Sequence, residues 1–195
     1  MRHTKRVFLV HGWNGSPHNH WFPWLKRELA ENGCAVFAPR MPGGEHPKLS
    51  EWLAHLNRVV VESDADTYFV GHSLGCIATV KFLETLSEGV QVGGCVFVGG
   101  FSGDLETPEI VEFYKSALDI EEVRRHCKKF ISIASDNDTV VPLAFSKEFN
   151  EQLGGELIVE KKRGHFCKDD GVTELLSALT AVLELAGLKA LSPKL

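Results

Sequence analysis

The sequence predicts an α/β fold in which a mostly parallel sheet carries helices on both faces. Apolar runs of strand length alternate with longer amphipathic segments along the whole chain, the pattern of repeated βα units. The run Asp66–Val70 enters Gly71-His72-Ser73-Leu74-Gly75, and a helical pattern over Cys76–Leu83 follows at once. That is a tight strand-to-helix turn with a serine at its apex. At 195 residues, with no repeat, linker or low-complexity stretch, the chain has the size of one domain around a single core, spanning 1–195.

Arg6–Val10 reads as the first strand, and Asn19–Asn32 as a helix whose apolar face includes Trp21, Trp24, Leu25 and Leu29. Gly33 caps its end. Cys34–Ala38 is the second strand, closed by Pro39 and a Pro/Gly loop running to Pro47. Ser50 is the expected N-cap of a helix through about Val61. After the serine turn, Cys95–Gly99 is a strand, and Phe101–Leu118 is an irregular segment that reads either as a short lid or as a plain connection with one extra helical turn. Ile120–Cys127 reads as helix, Phe130–Ser135 as strand, and Pro142–Leu153 as a helix with proline in its first turn. Leu157–Lys161 is the last strand, Val172–Leu188 the last helix, and Leu191–Leu195 is expected to fray.

Composition narrows the function classes. A formal net charge of -5, with lysine and arginine scattered, predicts neither a nucleic-acid nor an anionic-membrane partner. The one dense basic run, Lys161-Lys162-Arg163, reads as a solvated loop. Residues 1–6 lead directly into a short apolar strand, too brief for a secretory or spanning segment. The five cysteines (34, 76, 95, 127, 167) are odd in number, dispersed and without a Cys-x-x-Cys pair. Together these predict a cytoplasmic protein with reduced thiols, no disulfide framework and no zinc site.

A serine hydroxyl attacks a carbonyl only when a base takes its proton and an acid orients that base. Asp136-Asn137-Asp138 follows the strand Phe130–Ser135, and Arg163-Gly164-His165-Phe166 follows Leu157–Lys161. Both loops leave carboxyl ends of strands, the edge where Ser73 lies and where sites form in such sheets. Ser73 is therefore the expected nucleophile, His165 the base and Asp138 the acid, in the order Ser, Asp, His. Asp136 is the competing acid; Asp138 is preferred for its Asp-x-x-Val-Pro spacing.

The oxyanion needs preorganised N–H donors. Leu74, at a helix start, supplies one, and His11-Gly12-Trp13-Asn14-Gly15 after the first strand points to Trp13 for the second, with Asn14 next. The Trp13 ring reads equally well as pocket lining or as core. His11, His18, His20 and His46 invite a metal reading, but no matching cysteine or carboxylate cluster accompanies them, so no metal is expected. His72 reads as support for the turn. Cys167 lies near the base in sequence but lacks a base of its own.

With these residues in view, the chain resembles the small α/β-hydrolases of the retinoblastoma-binding protein 9 and YdeN type. The resemblance runs through essentially the whole chain: Trp21 and Trp24, Met41-Pro42, Gly71-His72-Ser73, Phe101-Ser102-Gly103-Asp104-Leu105, Cys127, Ser135-Asp136-Asn137-Asp138 and Gly164-His165-Phe166. It implies a compact three-layer α/β-hydrolase fold with about six mostly parallel strands and a minimal cap. It also implies the same nucleophile, acid and base, with no cofactor. A Leu-x-Cys-x-Glu segment is absent, and Leu74-Gly75-Cys76-Ile77-Ala78 ends in alanine, so a retinoblastoma-type partner is not carried over.

The expected activity is hydrolysis of a small-molecule ester, thioester or activated amide through an acyl-enzyme, with Asn14, Phe101 and Phe166 lining the substrate pocket. An acyltransferase, or a non-catalytic interaction module on the same fold, is the alternative.

Overall fold

Side chains along the strands alternate between two apolar layers, so the sheet is covered on both faces. In the computed structural model, which describes residues 4–189, strand β1 (Arg6–Val10) sends Val7 and Leu9 to one core and Phe8 and Val10 to the other. Strand β3 (Thr67–His72) splits Tyr68 and Val70 from Phe69, and β4 (Gly94–Val98) splits Val96 and Val98 from Cys95 and Phe97. With β2 (Ala35–Phe37), β5 (Phe130–Ser135) and β6 (Glu156–Glu160) they form one six-stranded sheet, ordered β2-β1-β3-β4-β5-β6 and parallel throughout.

Helices α1 (Phe22–Glu31) and α7 (Leu176–Leu185) cover one face. On the other lie α2 (Leu49–Val59), α3 (Leu74–Leu83), α4 (Val111–Tyr114), α5 (Ile120–His126) and α6 (Leu143–Leu153). All ten residues of α3 are buried, as befits a helix that packs on the sheet and also against α2, α4 and α5. The chain runs outward from β1 to β2, returns past β1 to β3, and then continues to β6. The loops after β1 and β3 therefore diverge, which opens a crevice at the carboxyl edge between them.

Several boundaries differ from expectation. Helix α1 begins at Phe22 rather than Asn19, because residues 16–20 form turns and Pro23 occupies the first helical turn. Ser50 is not an N-cap: α2 starts at Leu49 after Lys48, and the Leu49 N–H donates to the Glu112 carboxylate, a cap supplied from a distant segment. The last helix starts at Leu176, after a 3-10 turn over Lys168–Asp170. The 101–118 segment packs beside α2 and α3 rather than over the serine. The Phe113 ring lies 5.2 Å from Trp52, and buried Lys81 donates to the Ala117 carbonyl at 2.9 Å. The expected fraying of Leu191–Leu195 lies outside the described residues. Among the described residues, no helix is long and apolar enough to cross a membrane.

Candidate active site

Ser73 stands alone between β3 and α3 with φ 53° and ψ -121°, a conformation costly for any residue with a side chain. The strand and helix close so tightly that only glycine fits beside it. A Cβ on Gly71 would lie 2.8 Å from the Cys76 backbone, and one on Gly75 would lie 2.1 Å from the Val10 carbonyl oxygen. The Ser73 N–H donates to the Val98 carbonyl at 2.9 Å, tying the apex to β4. Gly12, after β1, runs equally close: a Cβ there would be 3.0 Å from the Ser73 Cβ.

Asp138 and His165 meet as expected. His165 Nδ1 donates to Asp138 Oδ2 at 2.7 Å, with the aspartate side chain 1% exposed. Asp138 Oδ1 accepts the Val140 and Val141 N–H groups, both at 2.8 Å, which fixes the carboxylate. The rival Asp136 does something else, since its Oδ1 accepts the Lys162 N–H at 2.8 Å and braces the two loops. Gly99, with φ +58°, lets the imidazole approach, since a Cβ there would lie 3.2 Å from His165 Cε1. Asp170 secures the His165 loop through the N–H groups of His165 and Cys167 at 2.9 and 3.0 Å.

Ser73 and His165 line one cavity of about 130 Å³, together with Gly12, Trp13, Ser16, Asn19, His20 and neighbouring residues. Among the described residues, the N–H groups of Trp13, Asn14 and Leu74 have no hydrogen-bond partner, whereas that of Gly15 is used by Gly12 O. The Trp13 ring is 39% exposed and donates Nε1–H to the Glu45 carbonyl at 3.0 Å, so it is rim rather than core. The other expected pocket residues fall elsewhere. Phe101 and Phe166 are fully buried in the two opposite cores, and Asn14 does not line the cavity. Gly99, two residues before Phe101, and His165, just before Phe166, are at the site, whereas the two phenylalanine rings turn into the cores.

Sequence reasoning assigned His72 a supporting role but missed its partner, and it missed His20 at the cavity. His72 Nε2–H donates to the His165 carbonyl at 2.9 Å, and its ring sits 5.0 Å from that of His165 and 5.6 Å from that of His20. Burial, reinforced by nearby His165, holds the His72 pKa well below the ordinary imidazole value. His20 Nδ1 accepts the Lys168 N–H at 2.9 Å; burial first, then His165, lowers its pKa. His11 donates Nδ1–H to Gly12 O at 2.8 Å while Nε2 accepts the Met41 N–H at 2.9 Å, and burial lowers its pKa as well. Burial favours the uncharged form of all three imidazoles, and no element periodicity marks them. Among the described residues, no group of three or more His, Cys, Asp or Glu side chains is arranged to hold a metal ion.

Residues 7–183 match the model of a family described as serine hydrolase. The chain is 38% identical over 173 residues to the hydrolase YdeN of Bacillus subtilis (strain 168), covering 88% of this chain and 91% of that protein. It is 26% identical over 167 residues to the serine hydrolase RBBP9 of Rattus norvegicus, covering 84% and 87% respectively. The crystal structure of the ydeN gene product from B. subtilis superposes with a TM-score of 0.90 at 35% identity, covering 94% of this chain and all of that one.

Proposed function

The chain belongs to the serine hydrolase family, and from that premise we propose that it cleaves carboxylic esters through an acyl-enzyme on Ser73, with His165 as base and Asp138 as acid. The observation that carries the reading is the 2.7 Å His165–Asp138 pair at the cavity that also contains Ser73. Because the Asp138 carboxylate accepts from Nδ1, the neutral imidazole has its proton there and leaves Nε2 bare. Nε2 removes the Ser73 Oγ proton as Oγ bonds to the ester carbonyl carbon. The carbonyl oxygen becomes an oxyanion, which the Leu74 and Trp13 N–H groups stabilise. On collapse the ester C–O bond breaks, and the leaving alkoxide takes the proton from His165 Nε2. Water repeats the sequence in place of serine and releases the carboxylic acid.

A fluorophosphonate, read by intact mass, tests this directly. Wild type should gain one adduct and Ser73→Ala none, with esterase turnover lost in the variant while its thermal melt stays unchanged. Full turnover by folded Ser73→Ala would overturn the reading.

A further inference from the structure

The cavity at Ser73 restricts what can remain attached to it. An apolar cavity of about 150 Å³ holds a benzene ring, so the 130 Å³ here accepts about five non-hydrogen atoms. Among the described residues, no Asp, Glu, Lys or Arg side chain lines it. Two of its lining imidazoles each have one ring nitrogen occupied as a hydrogen-bond acceptor. His11 Nε2 and His20 Nδ1 each accept a backbone N–H, which leaves neither nitrogen room for a second proton. An acyl group with a carboxylate would meet no Lys or Arg in the lining, and one with an ammonium would meet no lining carboxylate, since Asp138 is engaged by His165 and Asp170 by the His165 and Cys167 N–H groups.

The cavity suits the part of the substrate that stays on the enzyme after the first step. The leaving alcohol must depart and water must enter, and the exposed apolar side chains at the rim, Trp13 at 39% and Val140 at 55%, border that route. We infer that the enzyme is selective for short, uncharged acyl groups of two to four carbons, held between Ser73 and the polar wall of Ser16, Asn19 and His20. This inference rests on the proposed nucleophile and adds the substrate class to it.

The test is a matched series of 4-nitrophenyl esters on wild type: acetate, propanoate, butanoate, octanoate, monosuccinate and alaninate, corrected for spontaneous hydrolysis. Butanoate should exceed octanoate and monosuccinate by at least tenfold in kcat/KM, and propanoate should exceed alaninate by the same factor. A smaller ratio in any of these pairs overturns the inference. Asn19→Asp is nearly isosteric and keeps the acceptor for the Ser16 hydroxyl. It should raise the alaninate-to-propanoate ratio about fivefold, the size of one unit-charge interaction in water at contact distance. An unchanged ratio would mean that the acyl group lies elsewhere. Labelling of Ser73 by diisopropyl fluorophosphate separates the two levels: no label sinks the nucleophile itself, whereas a label with a flat ester profile sinks only the acyl selectivity.

Discussion

His72 Nε2–H and the carbonyl oxygen of His165 are joined by a 2.9 Å hydrogen bond, so the residue before Ser73 holds the backbone of the proposed base. His72→Phe keeps the ring volume but leaves that carbonyl without its donor, at a cost of about 1–3 kcal/mol. It also frees the His165 loop, and a misplacement of about 1 Å lowers turnover on the order of a hundredfold. His72→Gln restores a donor near the same point. His72→Phe should therefore lower kcat and the fluorophosphonate labelling rate with little change in KM, while His72→Gln recovers most of both. Equal activity in the two folded variants would reduce His72 to packing.

Asp138 and Asp136 are separated by one residue but differ in what an amide can replace. Asp138→Asn presents an amide where His165 needs a carboxylate, which favours the wrong imidazole tautomer, and kcat should fall by about 10³–10⁴. Asp136→Asn keeps the oxygen that accepts the Lys162 N–H, so kcat should stay within about threefold of wild type. Steady-state kinetics on the pair decide which aspartate is the acid, and a larger loss at Asp136 would reverse the assignment.

Type and order of the candidate groups can be read from the sequence because each lies in a loop just after a strand, and parallel topology brings such loops to one edge. Ser73, Asp138 and His165 needed no distances to be singled out. Pocket lining was not legible. Phe101 and Phe166 are chain neighbours of the site, yet side chains on successive loop residues point in unrelated directions, and both ended in cores. The same limit hid His20, whose ring reaches the cavity only because a positive φ of 55° turns the backbone before α1. The Glu112 cap on α2 was invisible for another reason: it comes from 63 residues away, and no local capping signal reports it.

Acid should destabilise the fold in a window set by imidazoles. His11, His20, His55 and His72 all have pKa values lowered by burial, so below about pH 6.5 the unfolded chain binds protons that the folded chain refuses. Stability is therefore complete above that pH and falls as pH drops through it. Fully buried His72 alone contributes about 1.4 kcal/mol per pH unit until it titrates in the folded state. Urea unfolding at pH 7.5, 6.0 and 5.0 should show this decline, with a shallower slope in His72→Gln. A flat profile between pH 7.5 and 5.0 would contradict neutral burial of these rings.

Cys167 is the remaining nucleophile type at the cavity, and its environment makes it a weak rival to Ser73. Burial, followed by the negative charges of Asp170, Asp138 and Asp169, pushes its thiol up to about 11. At pH 7.5 the thiolate fraction is about a hundredfold below that of an ordinary free cysteine, and the higher intrinsic nucleophilicity of a more basic thiolate recovers only part of that. Its S–H donates to the His165 carbonyl oxygen at 3.6 Å, an acceptor that does not take the proton. Iodoacetamide at pH 7.5 should modify Cys167 about tenfold more slowly than a free thiol, with the rate still rising at pH 9.5. Under the same conditions a fluorophosphonate should go to Ser73 alone, as peptide mapping of the adduct would show. Rapid alkylation of Cys167 at neutral pH, accompanied by loss of turnover in proportion, would instead mean that the thiol is activated and that the cavity serves a cysteine.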